Sequence, residues 1–234
     1  MQKVRVALVG VSMAVVTLSA QDTYYAARYR SGSIPPLASL TVGGGQVFLE
    51  LSVSRDGNVT DIKTLRTTPP FTGMVAELAK DWLFFPAQEE VQEPGESRPR
   101  LQHVPSKVLL AAVVRSPTLI GPSLGDPAKD VASESDETPF PVTLILPPYP
   151  QSTREAALVL VEAGIDRSGA VVDSTVIRSA AGFDDVARST ARQWTFRSAR
   201  LKGRSIPTRA YILFGFPAPI TIPPNVNGVP PIVR

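Results

Sequence analysis

Displaced by 112 residues, the sequence overlays on itself without a gap, Ile34–Ala87 on Leu146–Ala199, and 15 of the 54 aligned pairs are identical. Among them are Pro35/Pro147, Pro36/Pro148, Glu50/Glu162, Arg55/Arg167, Gly57/Gly169, Val59/Val171, Asp61/Asp173, Arg66/Arg178, Phe71/Phe183, Ala79/Ala191 and Phe84/Phe196. The two Trp of the chain, Trp82 and Trp194, also fall in register. Self-similarity at a fixed offset marks a duplicated structural unit. Whatever the fold, half of the sequence must be able to build it twice.

Each copy reads in the same order. Val47, Leu49, Leu51 and Val53 alternate with Phe48, Glu50, Ser52 and Ser54, the period of a strand with one buried face. Val159, Val161, Ala163 and Ile165 keep that face in the second copy. The Gly-containing turns Arg55-Asp56-Gly57-Asn58 and Arg167-Ser168-Gly169-Ala170 lead to returning strands over Val59–Arg66 and Val171–Arg178. Helical spacing follows at Phe71, Val75, Leu78, Ala79 and Trp82, and at Phe183, Ala187, Thr190, Ala191 and Trp194. Asp184 and Asp185 suit the first turn of the second helix, where the dipole favours negative charge. Closing strands are expected over Val104–Val114 and Ile206–Phe216. Before the first of them the chain inserts about ten residues, Gln88–Arg100, read as a surface loop.

The expected organisation is therefore a first unit over 34–115, a flexible acidic linker over 116–139, a second unit over 140–217, and a Pro-rich tail over 218–234. At 234 residues the chain has room for two small cores. Ahead of them, Lys3 and Arg5 precede an apolar run, Val6–Leu18, then Ser19-Ala20 and polar Gln21-Asp22. This is the pattern of a secretory signal over 1–20, and the run is shorter than the roughly 20 residues that span a bilayer. Export to the periplasm is the expectation, with an uncleaved tether to the inner membrane as the alternative.

The residue inventory argues against an enzyme. With no Cys, thiolate chemistry, disulfides and Cys-ligated metals are excluded. His103 is the sole His, too little for a zinc site or a Ser–His–Asp arrangement. Glu50 and Glu162 are one per copy, so acid–base work by a carboxylate pair would require the copies to meet. Gly43-Gly44-Gly45 lacks the following Lys-Ser/Thr of a phosphate loop. A net charge of +3 is too small to indicate nucleic acid. No catalytic residue, cofactor or metal is expected. Trp82/Phe84 and Trp194/Phe196 read as core aromatics at helix ends, or alternatively as a ligand platform. Arg188, Arg192, Arg197, Arg200, Lys202, Arg204 and Arg209 form a basic run that reads as a solvated face, or as a receptor for an acidic partner.

Taken in order, Pro147-Pro148-Tyr149-Pro150, the turn Asp166-Arg167-Ser168-Gly169-Ala170-Val171, the helix, and Trp194-Thr195-Phe196 resemble the TonB C-terminal domain family. The first copy is a more divergent match: Leu37 stands for the Tyr and Ser54 for the acidic residue of the turn. The resemblance implies an α+β fold with two repeated modules, each a helix packed on a small antiparallel sheet. It also implies a protein-binding role in the periplasm, within outer-membrane transport or as an envelope scaffold that dimerises through sheet edges. The partner would be an outer-membrane transporter or another envelope protein, gripped by strand addition. The closing strand Ile206–Phe216 is the expected exposed edge, with Arg204, Arg209, Tyr211, Leu213 and Phe214 as partner-binding residues. Energy-transducing members carry a spanning helix and a long spacer. Here residues 21–33 would reach at most about 45 Å when extended.

Overall fold

The computed structural model describes residues 23–34, 44–69, 71–93, 95, 98–115 and 137–219. The expected signal, nearly all of the linker and all but the start of the Pro-rich tail lie outside these residues. The first half runs β1 (Tyr24–Tyr25), β2 (Arg28–Ser31), β3 (Gly45–Val53), β4 (Val59–Arg66), α1 (Phe71–Lys80), β5 (Leu83–Phe85), β6 (Ala87–Val91), β7 (Arg100–Val104) and β8 (Ser106–Val114). The second runs β9 (Phe140–Thr143), β10 (Ala157–Ile165), β11 (Val171–Arg178), α2 (Asp184–Ala191), β12 (Thr195–Arg197), β13 (Ala199–Leu201), β14 (Arg204–Ile206) and β15 (Thr208–Phe216).

The elements lie where the repeat places them, but the architecture is not two helix-on-sheet modules. Of the described residues 53% are strand and 11% helix, and one mixed sheet of six strands, ordered β11-β10-β15-β8-β3-β4, passes through both halves. Each half contributes an antiparallel trio. The two trios join where the closing strands pair in parallel, Ala210 opposite Leu109 through Gly215 opposite Val114. The order is a palindrome about a parallel pair, so a pseudo-two-fold axis runs along the strands and exchanges the faces of the sheet.

That symmetry explains why both faces are buried. On one face, Val47, Leu49, Leu51 and Val53 pack with Phe71, Val75, Leu78 and Ala79 of α1, and the same core takes in Leu158, Leu160, Tyr211 and Leu213 from the second half. On the other face, Val159, Val161, Ala163 and Ile165 pack with Phe183, Ala187 and Ala191, together with Phe48, Leu65, Leu109, Ala111 and Val113 from the first. The back of each trio is thus covered by material belonging to the other. Each Val, Leu, Ile or Phe side chain fully buried in this way contributes about 1.5–3 kcal/mol, and each Ala less.

Two local devices recur in both halves. At the hairpin turns, Asp166 Oδ1 accepts from the Ser168 and Ala170 amides at 2.8 and 3.0 Å. Ser54 Oγ takes the same place in the first half, accepting from the Asp56 and Asn58 amides at 3.3 and 3.2 Å. The Ser168 hydroxyl, with those amides, holds the Asp166 carboxyl below its usual value. Gly57 and Gly169 sit at φ of 88° and 91°, and a Cβ there would meet the Phe84 or Phe196 carbonyl oxygen at 1.9 or 1.7 Å. Their own carbonyls accept from the Phe84 and Phe196 amides, each at 2.8 Å. Turn glycine and W-x-F are thereby latched together, which requires Gly.

Two expectations about the chain's edges are also corrected. The insertion Gln88–Arg100 is not wholly a loop: Gln88–Val91 and Arg100 belong to the hairpin β6–β7, with β1 added alongside. Thr138, expected in the linker, is fully buried in the fold. A protease site introduced between residues 116 and 136 checks the one-sheet architecture. After cleavage the halves are expected to co-elute as one particle under native conditions and to separate only in denaturant. Independent modules would separate at once.

Candidate functional site

The closing strand expected to form an exposed edge is instead internal. β15 is hydrogen-bonded to β10 on one side and to β8 on the other. Tyr211, Leu213 and Phe214 are 0%, 4% and 0% exposed, so none of them is available to a partner. The physical reason is that an apolar strand with two apolar faces finds its lowest energy between two strands rather than beside one. Of the five candidates, only Arg204, on β14, is exposed.

Arg209 and Tyr211 belong to a buried polar network. Arg209 Nη1 lies 2.5 Å from Glu162 Oε1, and the Tyr211 hydroxyl donates to Glu162 Oε2 at 2.8 Å while accepting from the Tyr29 amide at 2.7 Å. Burial foremost, then the adjacent Glu162 carboxylate, raises the Tyr211 phenol far above its ordinary value and keeps it a neutral donor. The first half has a counterpart. Lys107 Nζ lies 3.2 Å from Glu50 Oε1, and Thr138 Oγ1 donates to Glu50 Oε2 at 2.5 Å. Glu50 lies on the face of β3 opposite Leu49 and Leu51, whereas Glu162 lies on the opposite sheet surface, so the two carboxylates do not meet. Each instead ties the leading segment of the other half, Tyr29 or Thr138, to the sheet.

The other candidates are placed as follows. Trp82 and Trp194 are buried, their indole N–H groups directed to the Ser33 and Ile145 carbonyls at 3.4 and 2.9 Å. Phe84 and Phe196 are buried beside them. Both pairs are core, not a platform. Tyr149 packs edge-on to Phe183, and the Pro147 carbonyl accepts from Arg115 at 2.8 Å. Pro148 is exposed and Pro150 buried, while His103 is exposed on β7. The basic run does not form one patch. Arg188 pairs with Asp185, Arg192 bonds the Ser174 hydroxyl, Arg197 lies over the Phe140 ring, and Lys202 pairs with Glu89.

The true ends of the large sheet are β4 and β11, each with a strand neighbour on one side only. β4 carries Asp61, Lys63 and Arg66, charges of the kind that guard natural edges. β11 presents Val172, which at 66% is the most exposed large apolar side chain among the described residues. Val172 and Asp173 line a groove of about 390 Å³ whose other wall includes Tyr25 and Arg28, and Tyr25 is itself 52% exposed. Alternation along Val171–Arg178 announced the strand. That it would be outermost depended on the order of pairing, which pattern does not encode.

Replacing Glu162 by Ala leaves Arg209 and Tyr211 facing a buried gap, and is expected to lower the unfolding free energy by about 3 kcal/mol. The exposed Glu155→Ala is expected to change it by less than ~0.5 kcal/mol. Denaturant titration of both variants checks the difference. No protein-family model matches the chain, and neither a curated protein nor a solved structure matches it.

Proposed function

We propose that the protein is an exported, non-enzymatic binding module of the cell envelope that accepts an extended segment of a partner protein as an added strand on β11. The observation that carries this reading is the unpaired side of β11, with exposed Val172 and Tyr25 on either wall of the adjoining groove. An edge strand offers main-chain donors and acceptors in a row, and a neighbouring groove selects side chains. The ordered resemblance to TonB C-terminal domains supports the same mode of binding, and the partner class it implies is an outer-membrane transporter or another envelope protein. On this reading the partner adds to the returning strand β11 and not to the closing strand, which is occupied on both sides.

Site-specific photocrosslinking in cells tests this. A photoreactive residue at position 172 is expected to yield a discrete protein adduct, and one at position 61 on β4 is not. A synthetic peptide covering the adducted segment should bind the purified protein, and methylation of its alternate backbone amides should weaken binding at least about tenfold. Methylated and unmodified peptides binding equally well would reject strand addition.

Export has its own check. Fractionation followed by N-terminal sequencing is expected to recover a periplasmic species beginning near Gln21. An intact Met1 terminus in the inner-membrane fraction would replace secretion with tethering.

A further inference from the structure

The lengthwise pseudo-symmetry brings one end of every long strand to a common rim. Val53 opposes Ser106 and Ile165 opposes Thr208, so both hairpin turns and the starts of both closing strands lie at that end. Arg55 and Arg167, equivalent in the repeat, therefore sit on the same rim. The hairpin β13–β14 joins them there. Its two-residue turn, Lys202-Gly203, has φ of 51° and 78°, the left-handed pair of a tight type I′ turn. A non-Gly residue in that region costs free energy and is worth explaining.

Between these elements lies a cleft in two lobes that share Tyr24, Leu201 and Ile206. The larger, about 710 Å³, has Arg55 and Arg200 on its walls, and the smaller, about 370 Å³, has Arg167 and Lys202. Both are within the usual range for small-molecule sites. With Lys107 assigned to Glu50, the larger lobe is formally balanced, Arg55 and Arg200 against Asp56 and Glu137, while the smaller has a positive surplus, Arg167, Lys202 and Arg204 against Glu89. Lys107 is held by Glu50 and Lys202 by Glu89, but among the described residues Arg55, Arg167 and Arg200 form no ion pair. Asp56 and Glu137 also face the larger lobe and restrict where an anion can sit.

From this arrangement we infer that the cleft is a binding site for a small oxyanion-bearing molecule, a phosphate or carboxylate, held by Arg55 and Arg200 with its apolar body on Tyr24, Leu201 and Ile206. Guanidinium groups supply paired donors that match either oxyanion. Burial, foremost, pushes the Tyr24 phenol up to about 12, so its hydroxyl remains a donor across the physiological range. The site shares Tyr24 with the groove beside β11 but uses different charged residues, and it stands without strand addition.

Calorimetric titration of the full-length protein with phenyl phosphate, benzoate and inorganic phosphate tests the inference. Saturable binding of an aryl anion is expected, weakened about tenfold or more by Arg200→Ala and by Arg55→Ala. Both arginines are exposed, so the variants are expected to keep the wild-type circular dichroism spectrum. Arg188→Ala, on α2 in a different surface cavity, is expected to bind as the wild type does. The tighter aryl anion identifies whether the site takes phosphate or carboxylate. No saturation up to about 10 mM, equal weakening by Arg188→Ala, or inorganic phosphate binding as tightly as phenyl phosphate would each overturn it.

Discussion

The parallel pairing of β8 with β15 is the interaction on which the rest of the structure depends. Each half alone is a three-stranded trio with apolar side chains on both faces and one short helix, which covers only one of them. Joining the trios through their closing strands satisfies the main-chain groups of two would-be edges at once. It also carries the leading segment and short strands of each half across the back of the other. The Glu162–Tyr211–Tyr29 and Glu50–Thr138 contacts then fasten those segments by hydrogen bonds to buried carboxylates. Such groups are costly to leave unpaired, so the two halves depend on each other for polar satisfaction as well as for apolar burial.

Much of the local structure was legible. The spans Val59–Arg66 and Val171–Arg178 coincide with the strands, and the helical spacing from Phe71 and Phe183 locates both helices, because period and turn chemistry are short-range properties. The W-x-F and turn glycines recur for a reason visible only in three dimensions, the latch from Gly57 to Phe84 and from Gly169 to Phe196. Ser54 was legible as a departure from an acidic residue, but its equivalence to Asp166 as a turn acceptor needed the hydrogen bonds.

The assembly of the elements is where the structure departs from the sequence pattern. Treating each strand as having one buried face implied separate modules and a free closing edge. A contrary signal was present. Ala157-Leu158-Val159-Leu160-Val161 and Val108–Val114 are continuous apolar runs rather than alternating ones, the mark of strands covered on both sides. Which strand would be outermost could not be read, since it follows from pairing between residues about a hundred positions apart. The candidate site moved for the same reason, from β15 to β11.

Holding both copies in one chain has a consequence for the rim. Two identical subunits arranged about this axis would present the same hairpin twice, and any charge on one would be repeated on its mate. Here the equivalent hairpins have diverged. β6–β7 is long and carries Glu89 and Glu90, while β13–β14 is short and carries Arg200 and Arg204. Lys202 reaches across to Glu89 and links them. A symmetric scaffold thus acquires a polar end with an acidic and a basic side, and either side can change in length or charge without disturbing the shared sheet beneath.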